Sequence, residues 1–576
     1  PESHTRGKNP PLVATEGGEY CLTTQTKKQI LTSSIYGVDI DSQAVEVTKL
    51  SLLLKLLEGE TGQLTLGFER VLPDLGQNIR CGNSLIGWDY FQGQMFPDEE
   101  EIHRVNPFDW QRAFPQVFAA GGFDTVIGNP PYIRQESLGE DKPYYQSIYE
   151  VFTGTADIYS YFIEKGVKLL APGGQFSYIV ANKWLRAKYG FKLRQWLKTK
   201  SIEEITDFGD LPIFTGATTY PLILRVSNNP PHFHPRLTNV KTLDFASLQE
   251  YVDEYGEISD QTCFEEDGWS LAGKQTQDLL AKIRQNSIPL GEYVGGKVYR
   301  GILTGLNKAF VIDQETKDRL IAKDPRSAEL IKPFAQGRDI KRYASIPVKQ
   351  YLILIPKGWT NQHRKGNAWN WFSSQYPAIA SHLKQFEKEA IARGDKGEFW
   401  WELRACDYYD EFEKPKIVYP DISLRGNFAI DLNGIHYGNT AYIMPVDDVF
   451  LLALLNSDLF DFYYRQISSS YRGGYLRYIY QYVTQLPVMQ IDESKQDQLA
   501  MFKKITDLVN NLLVVNRQKA SYPREGQQLK NIKIEIEKQI NLQVFDLYGL
   551  DDEEIRMVSG QYSKGMETPL TKRNKE

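Results

Sequence analysis

Asn129-Pro130-Pro131-Tyr132 closes the apolar run FDTVIGN (123 to 129), which reads as a buried strand. Neither proline continues a ladder and each restricts the residue before it, so the strand stops there. In open α/β sheets ligands bind beyond the carboxyl ends of strands, which is where a reactive site belongs. An exocyclic adenine amine is a poor nucleophile because its lone pair is delocalised into the ring. The Asn129 side-chain oxygen and the Pro130 carbonyl can accept both N–H groups, draw the nitrogen toward tetrahedral geometry and free the lone pair for in-line attack on a methyl sulfonium. No strong base is needed, since the extra proton leaves through the same acceptors or water. Tyr132 offers a ring face for an extruded base. The competing reading is a turn that merely ends a strand.

Strand-helix alternation is expected to position this tetrapeptide. IYGVDI (35 to 40) reads as a strand, followed by Asp41 or Ser42 as N-cap and a leucine-rich helix through Leu57. After the tetrapeptide, residues 157 to 170 read as a helix ended by Pro172-Gly173-Gly174, with a strand at 175 to 181. EITDF (204 to 208) and TYPLILRV (219 to 226) then supply an antiparallel pair at the sheet edge. The breaker cluster SNNPPHFHP (227 to 235) marks a boundary. The expected organisation is a catalytic domain over 1 to 235, an α+β domain over 236 to 490, and a C-terminal helical segment with a polar tail over 491 to 576.

A chain of 576 residues with 41% hydrophobic and 24% charged residues is long enough for several cores, and no apolar run is long enough for a membrane span. A cytoplasmic location without a membrane partner is expected. Four scattered cysteines form no C-x-x-C pair, and the seven histidines form no ligand-spaced pair, so no disulfide framework or metal is expected and the histidines read as surface residues. A net charge of −6 makes any nucleic-acid contact a matter of local patches. One such patch is YRQISSSYRGGYLRYIYQY (464 to 482), with Arg465, Arg472 and Arg477 among six tyrosines and no acidic residue. Such a run suits phosphate contacts and stacking; it equally suits a covered seam. Pro73-Asp74, Pro97-Asp98 and Pro420-Asp421 each begin a nuclease-like pattern that no E-x-K completes, so no cleavage activity is assigned.

Taken together these motifs resemble the gamma-class adenine N6 DNA methyltransferases of restriction-modification systems, in particular type IIG enzymes with a TaqI-like specificity domain. Tyr36-Gly37-Val38-Asp39-Ile40-Asp41 is similar to that family's second cofactor motif. There Asp39 would accept from the ribose hydroxyls of S-adenosyl-L-methionine, and Ile40 would pack on its adenine. Cys81-Gly82-Asn83-Ser84-Leu85 is similar to the next motif, which implies cofactor contacts from Asn83 and Ser84. In the hairpin LPIFTGATTY, Phe214 stands where the family places an aromatic against the target base. RGILTGLN and GRDIKR resemble elements of the specificity domain, which adds Arg300 and Arg338 as candidate DNA contacts.

The resemblance implies an α/β, Rossmann-like class I methyltransferase sheet followed by an α+β target-recognition domain and C-terminal helices. The implied reaction is methyl transfer to adenine N6 of a flipped base in a specific double-stranded DNA site. The family's first motif, an acidic-proline-glycine loop after the central strand, is absent; upstream of Tyr36 stands only Gly17-Gly18. With Pro1 opening the chain, the expectation is an N-terminal truncation. The missing segment, or a complementing chain, would supply the central strand and the glycine loop, with or without a nuclease domain upstream. Two rivals remain open, a non-catalytic DNA-binding module and a methyltransferase acting on RNA or protein.

Overall fold

A computed structural model describes residues 11–14, 20–58, 72–94, 96–214, 219–232, 234–260, 264, 268–468, 470–471, 474–518 and 522–563. The chain divides into two compact units, Pro1–Leu271 and Ala272–Glu576.

In the first unit, β1 (Gly37–Asp39) leads into α1 (Ser42–Leu57). Asp41 is the N-cap: its side chain accepts from the Gln43 N–H at 2.9 Å, satisfying one of the donors a helix start leaves unpaired. β2 (Ile79–Cys81) returns parallel to β1, pairing Asp39 with Cys81. β3 (Phe123–Gly128) then runs up to the tetrapeptide, and α2 (Tyr159–Lys168) crosses back to β4 (Leu170–Ala181), parallel to β3. Next come β5 (Ser201–Asp207), β6 (Pro221–Ser227), β7 (Arg236–Asn239) and β8 (Glu257–Ile258), giving a six-stranded sheet in the order β8-β7-β5-β6-β4-β3. Phe176 and Val180 of β4, Ile202 and Ile205 of β5, and Leu222, Leu224 and Val226 of β6 bury one core with Ile163 and Val167 of α2. This is the α/β sheet expected from the alternation of elements.

Three expectations for this unit are corrected. Pro172-Gly173-Gly174 does not end a helix; it lies within β4, where the pairing with β3 jumps from Phe123↔Leu170 to Thr125↔Gln175. Gly173 has φ +80°, and the Asn228 N–H donates to the Gly174 carbonyl at 2.9 Å, so the residue just past the neighbouring strand β6 satisfies the irregular backbone. The antiparallel strand β6 is internal rather than at the edge, because β7 adds to β5 in parallel. The expected boundary at 235 therefore falls inside the first unit: the breaker cluster is a loop between two strands of one sheet.

The second unit is α+β. β9 (Tyr299–Arg300), β13 (Lys416–Pro420), β15 (Ala429–Asp431) and β17 (Ala441–Met444) form one sheet. β10 (Val311–Asp313), β11 (Ile331–Ala335), β12 (Gln350–Ile353) and β16 (His436–Tyr437) form a second. β14 (Ile422–Ser423) pairs with β18 (Tyr475–Arg477). The helices α3 (Val449–Asn456), α4 (Asp458–Ile467), α5 (Gln496–Arg517) and α6 (Pro523–Leu547) share one core through Leu454, Phe460, Ile505, Val509 and Ile540. The C-terminal helices are thus part of this unit; residues 564–576 lie outside the described ones. His436 corrects the surface reading of the histidines, being buried in β16 with its ring stacked on Phe412. Among the described residues no helix is long and apolar enough to cross a membrane, and no group of acidic, cysteine or histidine side chains is arranged to hold a metal. Cys21, Cys81 and Cys406 are free thiols, and Cys263 lies outside the described residues.

Candidate functional site

The tetrapeptide leaves β3 at its carboxyl end. Gly128 is required there by a close approach, since a Cβ would stand 2.8 Å from the Tyr178 ring of β4. Asn129 and Pro131 are exposed, Pro130 is buried and Tyr132 is half-buried. The Ile158 N–H donates to the Ile133 carbonyl at 3.1 Å, tying this loop to the start of α2. The Tyr132 ring meets Tyr159 edge to face, and its hydroxyl is buried without a hydrogen-bond partner. Burial alone pushes that hydroxyl above the usual phenol range. Burial likewise raises the Asp157 carboxyl, against the opposing pull of Lys183 and Arg134.

Two residues at the same carboxyl edge escaped the reading of the sequence. Asn182, just past β4, donates through Nδ2 to both carboxylate oxygens of Asp207 at 3.0 and 3.2 Å. Asp207 ends β5 and also accepts from the Gly209 N–H at 3.0 Å; burial raises its carboxyl all the same. The available signal was a polar residue directly after each apolar strand run. Phe214 is half-buried at a bend, and residues 215–218 of its hairpin lie outside the described ones.

The residues expected at a cofactor gather at the ends of β1 and β2. The Gly82 N–H donates to the Asp39 carbonyl at 2.8 Å. Asp39 is exposed, with Oδ1 accepting from the Asp41 N–H at 2.9 Å, and the Ile40 side chain beside it is 57% exposed. Asn83 donates its N–H to the Asn106 carbonyl and accepts from the Leu85 N–H at 3.0 Å, while the Ser84 carbonyl accepts from Trp110 Nε1 at 3.1 Å. Tyr36, at the foot of β1, packs edge-on against Phe123 at the foot of β3 with centroids 5.9 Å apart. Between these strands the outer edge of β3 pairs with no strand among the described residues, and Ile127 on it is 76% exposed. An exposed carboxylate beside an exposed aliphatic side chain at a strand end suits a ribose and an adenine face, so the residues present fit S-adenosylmethionine.

In the second unit the aromatic-arginine run divides. Tyr464 and Tyr478 stack at 4.3 Å inside the core, whereas Tyr475 and Tyr480 are exposed. Arg465 is engaged internally, pairing with buried Asp461 at 3.1 Å and donating to the Leu424 carbonyl at 2.6 Å. Arg477 is half-buried; Arg300 and Arg338 are exposed; Arg472 lies outside the described residues.

A model of the Eco57I restriction-modification methylase matches residues 33–214, and a model of the TaqI-like C-terminal specificity domain matches residues 332–488. The chain carries an Eco57I-type restriction-modification methylase domain and a TaqI-like specificity domain. The methylase match thus spans β1 to Phe214, and Arg338, Arg465, Arg472 and Arg477 fall within the specificity-domain match, with Arg300 upstream of it. The type II restriction enzyme and methyltransferase RM.Eco57I of Escherichia coli is 32% identical over 305 residues, which cover 51% of this chain and 28% of that protein. The type II methyltransferase M.PaeR7I of Pseudomonas aeruginosa is 26% identical, covering 64% of this chain and 65% of its own length. The chain therefore spans less than two thirds of either relative. The solved structure of the type IIL restriction-modification enzyme MmeI in complex with DNA shares the fold at TM-score 0.57 and 12% identity, covering 95% of this chain and 75% of that one.

Proposed function

We propose that this chain is the catalytic and sequence-recognising part of a cytoplasmic DNA methyltransferase that modifies adenine N6 in a specific double-stranded site. The observation that carries this reading is Asn129-Pro130-Pro131-Tyr132 at the carboxyl end of β3 in a methylase domain, with Asn129 exposed and the Tyr132 ring braced by Tyr159. S-adenosylmethionine supplies an electrophilic methyl group, and Asp39, Ile40, Asn83 and Ser84 are the residues to hold it. The Asn129 side-chain oxygen and the Pro130 carbonyl accept the two N–H groups of the flipped adenine and raise the density on its nitrogen. After transfer the acidic proton on that nitrogen leaves through the same acceptors to water. Tyr132 and Phe214 present ring surfaces to the extruded base. Arg300, Arg338 and Arg477 would meet DNA from the second unit; the first two are exposed and the third is half-buried.

The reading includes a further strand, from an upstream segment or a complementing chain, between β1 and β3. It is supported by the edge of β3, which pairs with no strand among the described residues, by exposed Ile127, and by Val47, Leu50 and Leu54 of α1, which are all exposed. The same open edge favours a second reading, a DNA-binding module without catalysis. Calorimetric titration of S-adenosylmethionine into this chain, and into the chain extended upstream, separates the two. Binding by the extended form, followed by transfer of labelled methyl to DNA and recovery of N6-methyladenine after nucleoside digestion, supports the enzyme. Recovery of label in cytosine, RNA or protein refutes the adenine assignment, and cofactor binding by neither form leaves the DNA-binding module.

A further inference from the structure

Arg300, Asp421 and Arg477 are distant in sequence, and the sheets of the second unit gather them. On β9, Arg300 stands opposite Tyr442 of β17, and Tyr419 of β13 stands opposite the same Tyr442. Leaving β13, Asp421 donates its N–H to the Thr440 carbonyl at 2.9 Å, and its own backbone carbonyl accepts from the Tyr478 N–H at 2.8 Å. The next pair, Ile422↔Arg477, brings in β18. Asp421 thus sits between the two arginines, and both guanidinium charges act on its carboxylate and on the Tyr442 hydroxyl.

Three other carboxylates of this unit that stand near cations are engaged. Asp431 pairs with Lys416, Asp461 with Arg465, and Asp458 with Arg425. Asp421 differs: it is half-buried, and among the described residues neither Arg300 nor Arg477 forms an ion pair with it. Burial pushes its carboxyl up against the pull of the arginines. Arg477 Nε is buried without a hydrogen-bond partner. A half-desolvated carboxylate beside a guanidinium with no hydrogen-bond partner among the described residues is costly unless a ligand meets the carboxylate and the terminal nitrogens of Arg477, since its Nε is buried out of reach.

In the DNA major groove a C·G pair presents an amine donor on cytosine beside the O6 and N7 acceptors of guanine. We propose that Asp421 and Arg477 read one C·G pair of the target site, Asp421 accepting from the cytosine amine and Arg477 donating to guanine, with Arg300 on the neighbouring phosphate. This rests on the reading of the second unit as a DNA-recognition domain.

The test is selection of duplexes from a randomised pool by the full chain and its variants, with sequencing of the bound fraction, which requires no methyl transfer. The parent is expected to prefer C·G at one position by roughly tenfold or more, and D421N and R477A to flatten that same position. The other positions keep their preferences, while R300A weakens binding evenly across sequences. Flattening at two different positions, even loss across the site in D421N, or an unchanged profile overturns the proposal. Thermal melting accompanies each variant. If D421N melts below the parent, R477K, which keeps the charge and loses the paired donors, reads the same position. A parent that selects no sequence at all overturns the recognition reading itself, which distinguishes that failure from failure of the pair.

Discussion

The ring of Tyr132 meets that of Tyr159 edge to face, with centroids 6.3 Å apart and planes at 86°, while the Tyr132 hydroxyl finds no partner in its buried position. Tyr159 spends its own hydroxyl on Tyr189 at 2.7 Å. The ring of Tyr132 is therefore held by packing, and its oxygen contributes nothing to that hold. Tyr132→Phe is expected to raise stability by about 1 kcal/mol, the desolvation cost of an unpaired hydroxyl, and to retain methyl transfer. Tyr132→Ala should weaken capture of the flipped base by about 1–3 kcal/mol. Thermal denaturation and transfer assays run side by side check both; a Phe variant that loses transfer would show that the hydroxyl takes part in the reaction.

Asn129 is exposed at the end of β3, so truncating it disturbs little packing. Asn129→Ala is expected to lower the transfer rate by about a hundredfold or more, with DNA and cofactor affinity within a few-fold of the parent. Single-turnover transfer beside equilibrium binding makes the separation. Equal losses in both would place Asn129 in the fold of the loop.

Lys416 and Asp431 pair at 2.7 Å with both side chains fully buried. Asp431 also accepts from the Asn433 and Ile435 N–H groups and from the Tyr437 hydroxyl. Burial lowers the Lys416 ammonium below its usual range, opposed by Asp431. Asp431→Ala strands that cation and is expected to cost about 3–5 kcal/mol. Denaturant melts of the full chain measure it, and a loss below about 1 kcal/mol would show that water reaches the site.

Burial, with Lys332 and Lys416 nearby, depresses His436 from 6.5 to about 4. The unfolded chain then takes up a proton below pH 6.5 that the native state refuses until about pH 4, so stability falls as pH drops through that window. The contribution reaches about 3 kcal/mol at its lower end. Melting curves from pH 7 to pH 4 should show a slope that His436→Phe reduces; an unchanged slope would assign it to other groups.

How much of this was legible in advance depends on the range of the forces involved. Local sequence carried the turn after β3, the N-cap at Asp41, and the strand-helix alternation of the first unit, because proline geometry, capping and periodicity act within a few residues. The same locality explains the errors. Pro172-Gly173-Gly174 reads as a helix stop, yet Asn228, far along the chain, satisfies its backbone and lets β4 run through it. SNNPPHFHP reads as a domain boundary, yet β7 returns to pair with β5.

By itself, then, the sequence determined that Asn129 to Tyr132 stands at the end of a strand and that Asp39 ends another, since both follow from residue type and spacing. Only the tertiary structure decided that His436 is buried and that Arg300 and Arg477 converge on Asp421. Those outcomes turn on which strands pair and which charges are desolvated together, and pairing between segments far apart in the sequence leaves no periodic trace along the chain.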